Sequence, residues 1–269
     1  MIDYADIARK MRVDVINMLH RANGSFGGSA MSCVDLIAVL FHGFMRFDAY
    51  AHDDPRRDMF FLSKGHAGSA LYAGLASVGQ IEHSELMNYG MNDSKMIVHP
   101  KRGTYPYIDA AAGSLGHGIC QAVGSALAAR ILGYDANVFV LMGDGECNEG
   151  SVWENAAFAS KQKLNNLTVI IDRNGLQGCG RDEEILDYGD MGEKFRAFGF
   201  HVIDIDGHDY AAIFDALKLA TSRSTDKPTA IIAKTIKGRG VSYMENKMEW
   251  HYKSPNDEQL KIALEELGV

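Results

Sequence analysis

The 269 residues carry 27 Lys and Arg against 35 Asp and Glu, a net charge of -8, and 46% of them are hydrophobic. That apolar share suffices for a substantial core, and a single α/β domain over residues 1–269 is expected. The cations are scattered instead of forming a basic face, which argues against a nucleic-acid or anionic-membrane partner but leaves room for small anionic ligands. Cys33, Cys120, Cys147 and Cys179 form no CxxC pair, so neither a zinc ribbon nor a disulfide framework is suggested and the thiols read as reduced. The N-terminus has no apolar signal core and no run approaches the roughly eighteen apolar residues of a membrane span, so the cytoplasm is the expected compartment.

Ile7, Met11, Val15, Met18 and Leu19 recur at helical spacing and predict an opening helix from Ile2 to Leu19. The turn-rich Asn23-Gly24-Ser25-Phe26-Gly27-Gly28 then predicts a flexible loop. Helices are expected over Cys33 to Phe44 and His66 to Val78, separated by the apolar run Phe60-Phe61-Leu62-Ser63-Lys64-Gly65-His66, which turns on Gly65. Gly113, Gly116 and Gly118 open an Ala-rich helix running to Arg130. Four short β-branched runs follow, Val138 to Met142, Leu167 to Asp172, His201 to Ile205 and Ala230 to Ala233, each separated from the next by a helical stretch. That alternation predicts a doubly wound, mostly parallel sheet with helices on both faces.

Ligands of such sheets sit beyond the carboxyl ends of the strands, where Gly143-Asp144-Gly145 and Arg173-Asn174-Gly175 follow the first two runs. Gly-Asp-Gly alone reads as a common tight turn. The preceding strand, the Asn one β-α-β crossover later and the intervening helix near Glu149 change that reading. A carboxylate and an amide oxygen make the sparse set that suits Mg2+, which takes its remaining ligands from diphosphate oxygens, water or carbonyls; Ca2+ or Mn2+ would serve similarly. Gly143 and Gly145 would let a phosphate approach the backbone, and the helix near Glu149 would aim N–H groups at it.

The run from Gly143 to Gly150, continuing at Asp172-Arg173-Asn174-Gly175, resembles the thiamine-diphosphate signature, and the wider pattern is similar to the N-terminal portion of transketolase. Leu62-Ser63-Lys64-Gly65-His66, Ala112-Gly113-Ser114-Leu115-Gly116-His117-Gly118, Asp206-Gly207-His208-Asp209, Lys234-Thr235-Ile236-Lys237-Gly238 and Glu249-Trp250-His251 carry the resemblance. It implies that Asp144 and Asn174 ligate the metal through side chains and Leu176 through its carbonyl. Gly145 would meet the diphosphate, Gly113-Ser114-Leu115 the aminopyrimidine, and His66 and His251 the diphosphate region. His99 would face the donor sugar, and Glu149 would lie near a dimer interface in a proton-linked network. His117 and His208 read as structural, the latter because Asp-Gly-His-Asp suits a strand exit and helix cap.

In the resembled family the glutamate that activates the cofactor lies in a pyrimidine-binding domain, and no such domain is found in these residues. A separate C-terminal transketolase subunit carrying it is therefore expected, in an α2β2 assembly that moves a two-carbon ketol unit between sugars or sugar phosphates. Two departures bear on substrate: Phe26 stands where most relatives have a His that handles sugar hydroxyls, and Gly178 where an aliphatic residue underlies the thiazolium ring. A modified sugar or less hydroxylated donor follows. Rival readings are a thiamine-dependent 2-oxo-acid decarboxylase or dehydrogenase subunit, disfavoured by the Leu-Ser-Lys-Gly-His and Glu-Trp-His blocks, and a non-catalytic cofactor-binding subunit, disfavoured by retention of both metal ligands.

Overall fold

The structure, a computed structural model, describes residues 2–187 and 189–269. Helix α1 (Tyr4–Arg21) starts on Asp3, whose side chain accepts from the Asp6 N–H, and turns Met11, Val15, Ile16 and Leu19 inward. The segment expected to be a flexible loop instead enters a fully buried helix, α2 (Gly27–Ser32), before α3 (Val34–Gly43). Two leading glycines hide that helix from propensity, and packing on every side supplies what propensity lacks. Strand β1 (Met59–Leu62) is a second departure, because only four strands were expected. It leads through a 3-10 turn at Gly65–Ala67 into α4 (Gly68–Ser77).

After a long irregular stretch come α5 (Gly118–Ile131), β2 (Val138–Gly143), α6 (Gly150–Lys161) and β3 (Leu167–Arg173). The chain continues through the one-turn α7 (Asp182–Ile185), α8 (Met191–Ala197), β4 (His201–Asp206), α9 (Tyr210–Thr221), β5 (Thr229–Lys234) and α10 (Asp257–Glu266). The five strands lie in the order β1-β2-β3-β5-β4 and every neighbouring pair is parallel.

Alternation along the strands divides the core. Phe60, Leu62, Phe139, Leu141, Ile170 and Ile231 face a cluster built with α1, α3, α4 and α9. Phe61, Val138, Val140, Val169, Ile171 and Ile232 face a second cluster with α5, α6 and α8. Because parallel strands covered on both faces must be apolar throughout, β2 is buried at every position. All five carboxyl ends therefore emerge on one edge, where the polar side chains gather.

Candidate active site at the carboxyl edge

A cavity of about 340 Å³ opens at that edge, with Gly143, Asp144, Gly145 and Glu146 on one wall and Asn174, Leu176, Gln177 and Gly178 on the next. The loop after β1 contributes Lys64 and His66, the glycine-rich loop Gly113 and Leu115, and more distant segments Phe26, Ser29, His99, Lys237, His251 and Tyr252. Of the residues singled out from sequence, Ser114 and Glu149 do not line the cavity. Both are exposed, and Glu149 packs instead against Gly116, whose added Cβ would lie 2.7 Å from the Glu149 Cβ. The helix expected near Glu149 begins at Gly150, which is also outside the lining; the cavity meets the preceding 3-10 turn, Gly145–Asn148.

Asp144 is buried, and each of its oxygens takes one backbone donor: Oδ1 accepts from the Gly145 N–H at 2.8 Å and Oδ2 from the Gly175 N–H at 2.6 Å. Those bonds lock the carboxylate between the ends of β2 and β3. Burial, and after it the charges of Asp182 and Asp172, push its pKa well above the usual carboxylate range. A carboxylate so placed is short of positive charge. Asn174 Oδ1 accepts from the Leu176 N–H at 3.1 Å, and the Leu176 carbonyl accepts from Lys237 Nζ at 2.8 Å. Each of these oxygens retains a lone pair for a further ligand. Among the described residues no group of three or more His, Cys, Asp or Glu is placed to hold a metal unaided. An ion here would draw on the oxygens of a bound ligand, as Mg2+ does with diphosphates.

Beneath the cavity runs a frame of buried polar groups. Lys64 Nζ donates to Asp172 Oδ2 and, at 3.0 Å, to the Ser29 carbonyl, while Ser32 and Thr235 hydroxyls also donate to Asp172. Glu146 accepts from the Ser63 hydroxyl, the Gly116 N–H at 2.8 Å and the Gly143 N–H at 3.2 Å, joining three loops. Gly65 must be glycine, since a Cβ there would lie 1.5 Å from the Ala112 carbonyl oxygen. The close approach sets His66 beside the Gly113 loop.

Phe26 sits in the left-handed region at φ 72, a conformation that costs a non-glycine residue about 1 kcal/mol. Its ring packs 5.5 Å from His66, 5.6 Å from His99 and 5.1 Å from His251, centroid to centroid. Burial lowers the pKa of all three histidines, to about 4 for His251, with the nearby Lys237 and Lys64 ammonium groups adding to the shift there. Near neutral pH each is a neutral imidazole, one nitrogen donating and one accepting. Burial and the Lys64 charge bring Lys237 down to about 8.

The model of the family described as "Transketolase, thiamine diphosphate binding domain" matches residues 4–269. The chain belongs to the transketolase family. It is 37% identical over 260 residues to an apulose-4-phosphate transketolase subunit of Actinobacillus succinogenes, covering 97% of this chain and 93% of that one. A 6-deoxy-6-sulfo-D-fructose transketolase subunit of a Clostridium species is 36% identical over 263 residues, with 98% and 94% covered. Transketolase from Leishmania mexicana superposes with a TM-score of 0.91 at 28% identity, covering 100% of this chain and 42% of that chain. The chain thus spans less than half the length of that transketolase and nearly all of either subunit. The five-stranded α/β fold is that of the transketolase thiamine-diphosphate-binding domain.

Sequence reasoning brought Asp144, Asn174, Leu176, Gly143, Gly145, Gly113, Leu115, His66, His99 and His251 to one cavity and missed Glu146, Ser29, Gln177, Lys237 and Tyr252. Lys237 stood in a quoted motif, yet nothing local separates a lysine that is 1% exposed from an ordinary surface lysine. The signal was its place in a block that follows β5, at the same sheet edge as Asp144 and Asn174.

Proposed function

We propose that this chain is the diphosphate-binding subunit of a two-component transketolase that transfers a two-carbon ketol unit from a ketose to an aldose. The observation that carries the reading is the meeting of Asp144, Asn174 and the Leu176 carbonyl in one cavity with Lys237 and three neutral histidines. In this reading Asp144 and Asn174, with the Leu176 carbonyl, hold Mg2+ against the diphosphate of thiamine diphosphate. Lys237 adds positive charge to that end, and Gly145 lets the phosphate approach the backbone. The Gly113-Ser114-Leu115 segment borders the aminopyrimidine, although only Gly113 and Leu115 reach the cavity of this chain. When bound, the cofactor supplies the carbon nucleophile that adds to a ketose carbonyl.

The protein's own part is positional. His66, His99 and His251, uncharged near neutral pH, would orient donor hydroxyls and pass protons. Phe26 presents an apolar ring where a hydroxyl-handling His is expected, which favours a donor with carbon in place of hydroxyl on that side. The two relatives named for apulose 4-phosphate and for 6-deoxy-6-sulfo-D-fructose support a modified sugar.

A partner chain supplies the pyrimidine-binding half and the activating glutamate, in an α2β2 assembly in the cytoplasm. Two observations support association: the relatives are subunits by name, and α5 and α6 leave Gly124, Ala128, Ile131 and Phe158 exposed. Glu149, exposed beside Gly116 just before α6, would also be open to contact with another chain. The reading is tested by combining the chain with its partner, thiamine diphosphate and Mg2+, and assaying xylulose 5-phosphate, apulose 4-phosphate and 6-deoxy-6-sulfo-D-fructose as donors. Ketol transfer favouring a modified donor is expected; CO2 release from pyruvate without ketol transfer would refute it.

A further inference from the structure

Tyr252 has no place in the roles above, yet it lines the cavity and its ring packs edge-on against His251 at 4.9 Å. Phe26 packs edge-on against the same imidazole at 5.1 Å, so two aromatic rings bracket His251, one without a polar atom and one with a hydroxyl. The tip of Tyr252 reaches the backbone of residue 178. A Cβ built on Gly178 would lie 2.7 Å from the Tyr252 hydroxyl and 3.1 Å from His251 Nε2. Glycine at 178 therefore lets two polar atoms close onto the backbone, in space that a side chain there would need.

The chemistry of that approach follows from the other side of the imidazole. His251 Nδ1 lies 3.3 Å from Lys237 Nζ, and an ammonium can only donate, so Nδ1 accepts and the proton sits on Nε2. Nε2–H thus points to the face of Gly178 as a donor, and the Tyr252 hydroxyl can donate or accept beside it. Among the described residues neither atom has a hydrogen-bond partner of its own. Two free polar atoms over a bare glycine suit an incoming oxygen. They do not suit an apolar ring support, which would need the aliphatic side chain that residue 178 lacks.

We propose that His251 Nε2 and the Tyr252 hydroxyl, held against Gly178 on the cavity wall, form a polar notch that binds a hydroxyl of the donor ketose, making Tyr252 a specificity-determining residue. The notch restores, on one side of His251, the polar contact that Phe26 withdraws on the other. The donor class it selects has carbon or hydrogen facing Phe26 and a hydroxyl facing Tyr252. The assignment rests on the ketol-transfer reading and refines its substrate.

The test uses the reconstituted holoenzyme and the best donor of the three-sugar panel. Tyr252→Phe removes one oxygen and keeps the ring; donor KM should rise about fivefold, the loss of one uncharged hydrogen bond, with kcat and the thiamine diphosphate half-saturation unchanged. Gly178→Ala puts a methyl group 2.7 Å from the Tyr252 hydroxyl, displaces that hydroxyl and should raise the same KM. In the double variant Gly178→Ala/Tyr252→Phe the two effects should overlap instead of multiplying, because they remove one contact. An active holoenzyme whose donor KM ignores Tyr252→Phe, or in which the two effects multiply in full, overturns the notch alone. A holoenzyme that binds cofactor but turns over no ketose overturns the functional reading and the notch with it.

Discussion

Two clusters of buried charge lie on either side of β5, and they are built to opposite ends. In the first, Asp35 on α3 accepts from Arg12 at 3.0 and 2.6 Å, from His208 Nδ1 at 2.7 Å and from the Tyr210 hydroxyl at 2.8 Å. The Ile236 N–H donates to His208 Nε2 at 2.8 Å, which fixes the proton on Nδ1, and Arg12 Nε donates to the Arg239 carbonyl at 3.0 Å. Every oxygen of Asp35 is spent inside the protein. In the second, Asp144 has two backbone donors and, among the described residues, no cation bonded to it, and it faces open cavity.

Protonation follows the same division. Burial alone would raise Asp35, but the His208 hydrogen bond and the Arg12 charge more than offset it and hold the carboxyl at about 2. Asp144, equally buried, is pushed up. A buried acid satisfied from within ties elements together, whereas one left short of positive charge awaits a ligand. Asp35 joins α1, α3 and α9, and Asp144 joins only the two strand ends that frame the cavity.

The contrast makes its largest claim for Asp35→Ala. Removing that partner leaves Arg12 buried and unpaired, and should cost about 3 to 5 kcal/mol in denaturant unfolding. The folded fraction should bind thiamine diphosphate as the parent does; a parallel loss of cofactor affinity would break the division between the clusters. A smaller effect follows from acid. Asp35 has a folded pKa of about 2 against an ordinary value of 3.8, so its stabilisation is complete above that ordinary value and is lost as pH falls toward 2. The loss is worth about 2 kcal/mol, read as the part of the acid-induced change in midpoint that Asp35→Asn lacks.

A third effect has the opposite sign. A raised carboxyl favours the native state when protonated, so in the cofactor-free protein Asp144 should add stability as pH falls below about 7. The gain, about 1.4 kcal/mol for each pH unit between the folded and ordinary pKa values, is read as the difference between the parent and Asp144→Ala, which cancels the opposing titration of the buried histidines. A parent and variant with identical pH profiles would show that Asp144 is satisfied after all.

Legibility in the sequence followed how local each signal was. Strands β2, β3 and β5 were plain because burial on both faces demands unbroken β-branched runs, and the residues just past β2 and β3 located the site. Strand β1 is only Met59–Leu62 and runs straight into Ser63-Lys64-Gly65-His66, so the motif outweighed the strand. Helix α2 opens on Gly27-Gly28 after Phe26 in the left-handed region, where propensity predicts a loop and only tertiary packing makes a helix. The Lys64–Asp172 pair and the Tyr252–Gly178 approach join residues far apart in the chain, and no local pattern encodes such contacts. Glu149, expected beside a dimer interface, stands exposed next to Gly116, just after the 3-10 turn that precedes α6.

The central claim is that Asp144 and Asn174 together fix a divalent ion that anchors the cofactor's diphosphate. Titration calorimetry of thiamine diphosphate into the reconstituted complex with Mg2+ tests it directly on the parent and on Asp144→Ala. Affinity should fall by at least about 100-fold in the variant, and adding Mg2+ should strengthen binding in the parent alone. Equal affinity for the two proteins, with equal response to Mg2+, would contradict the account.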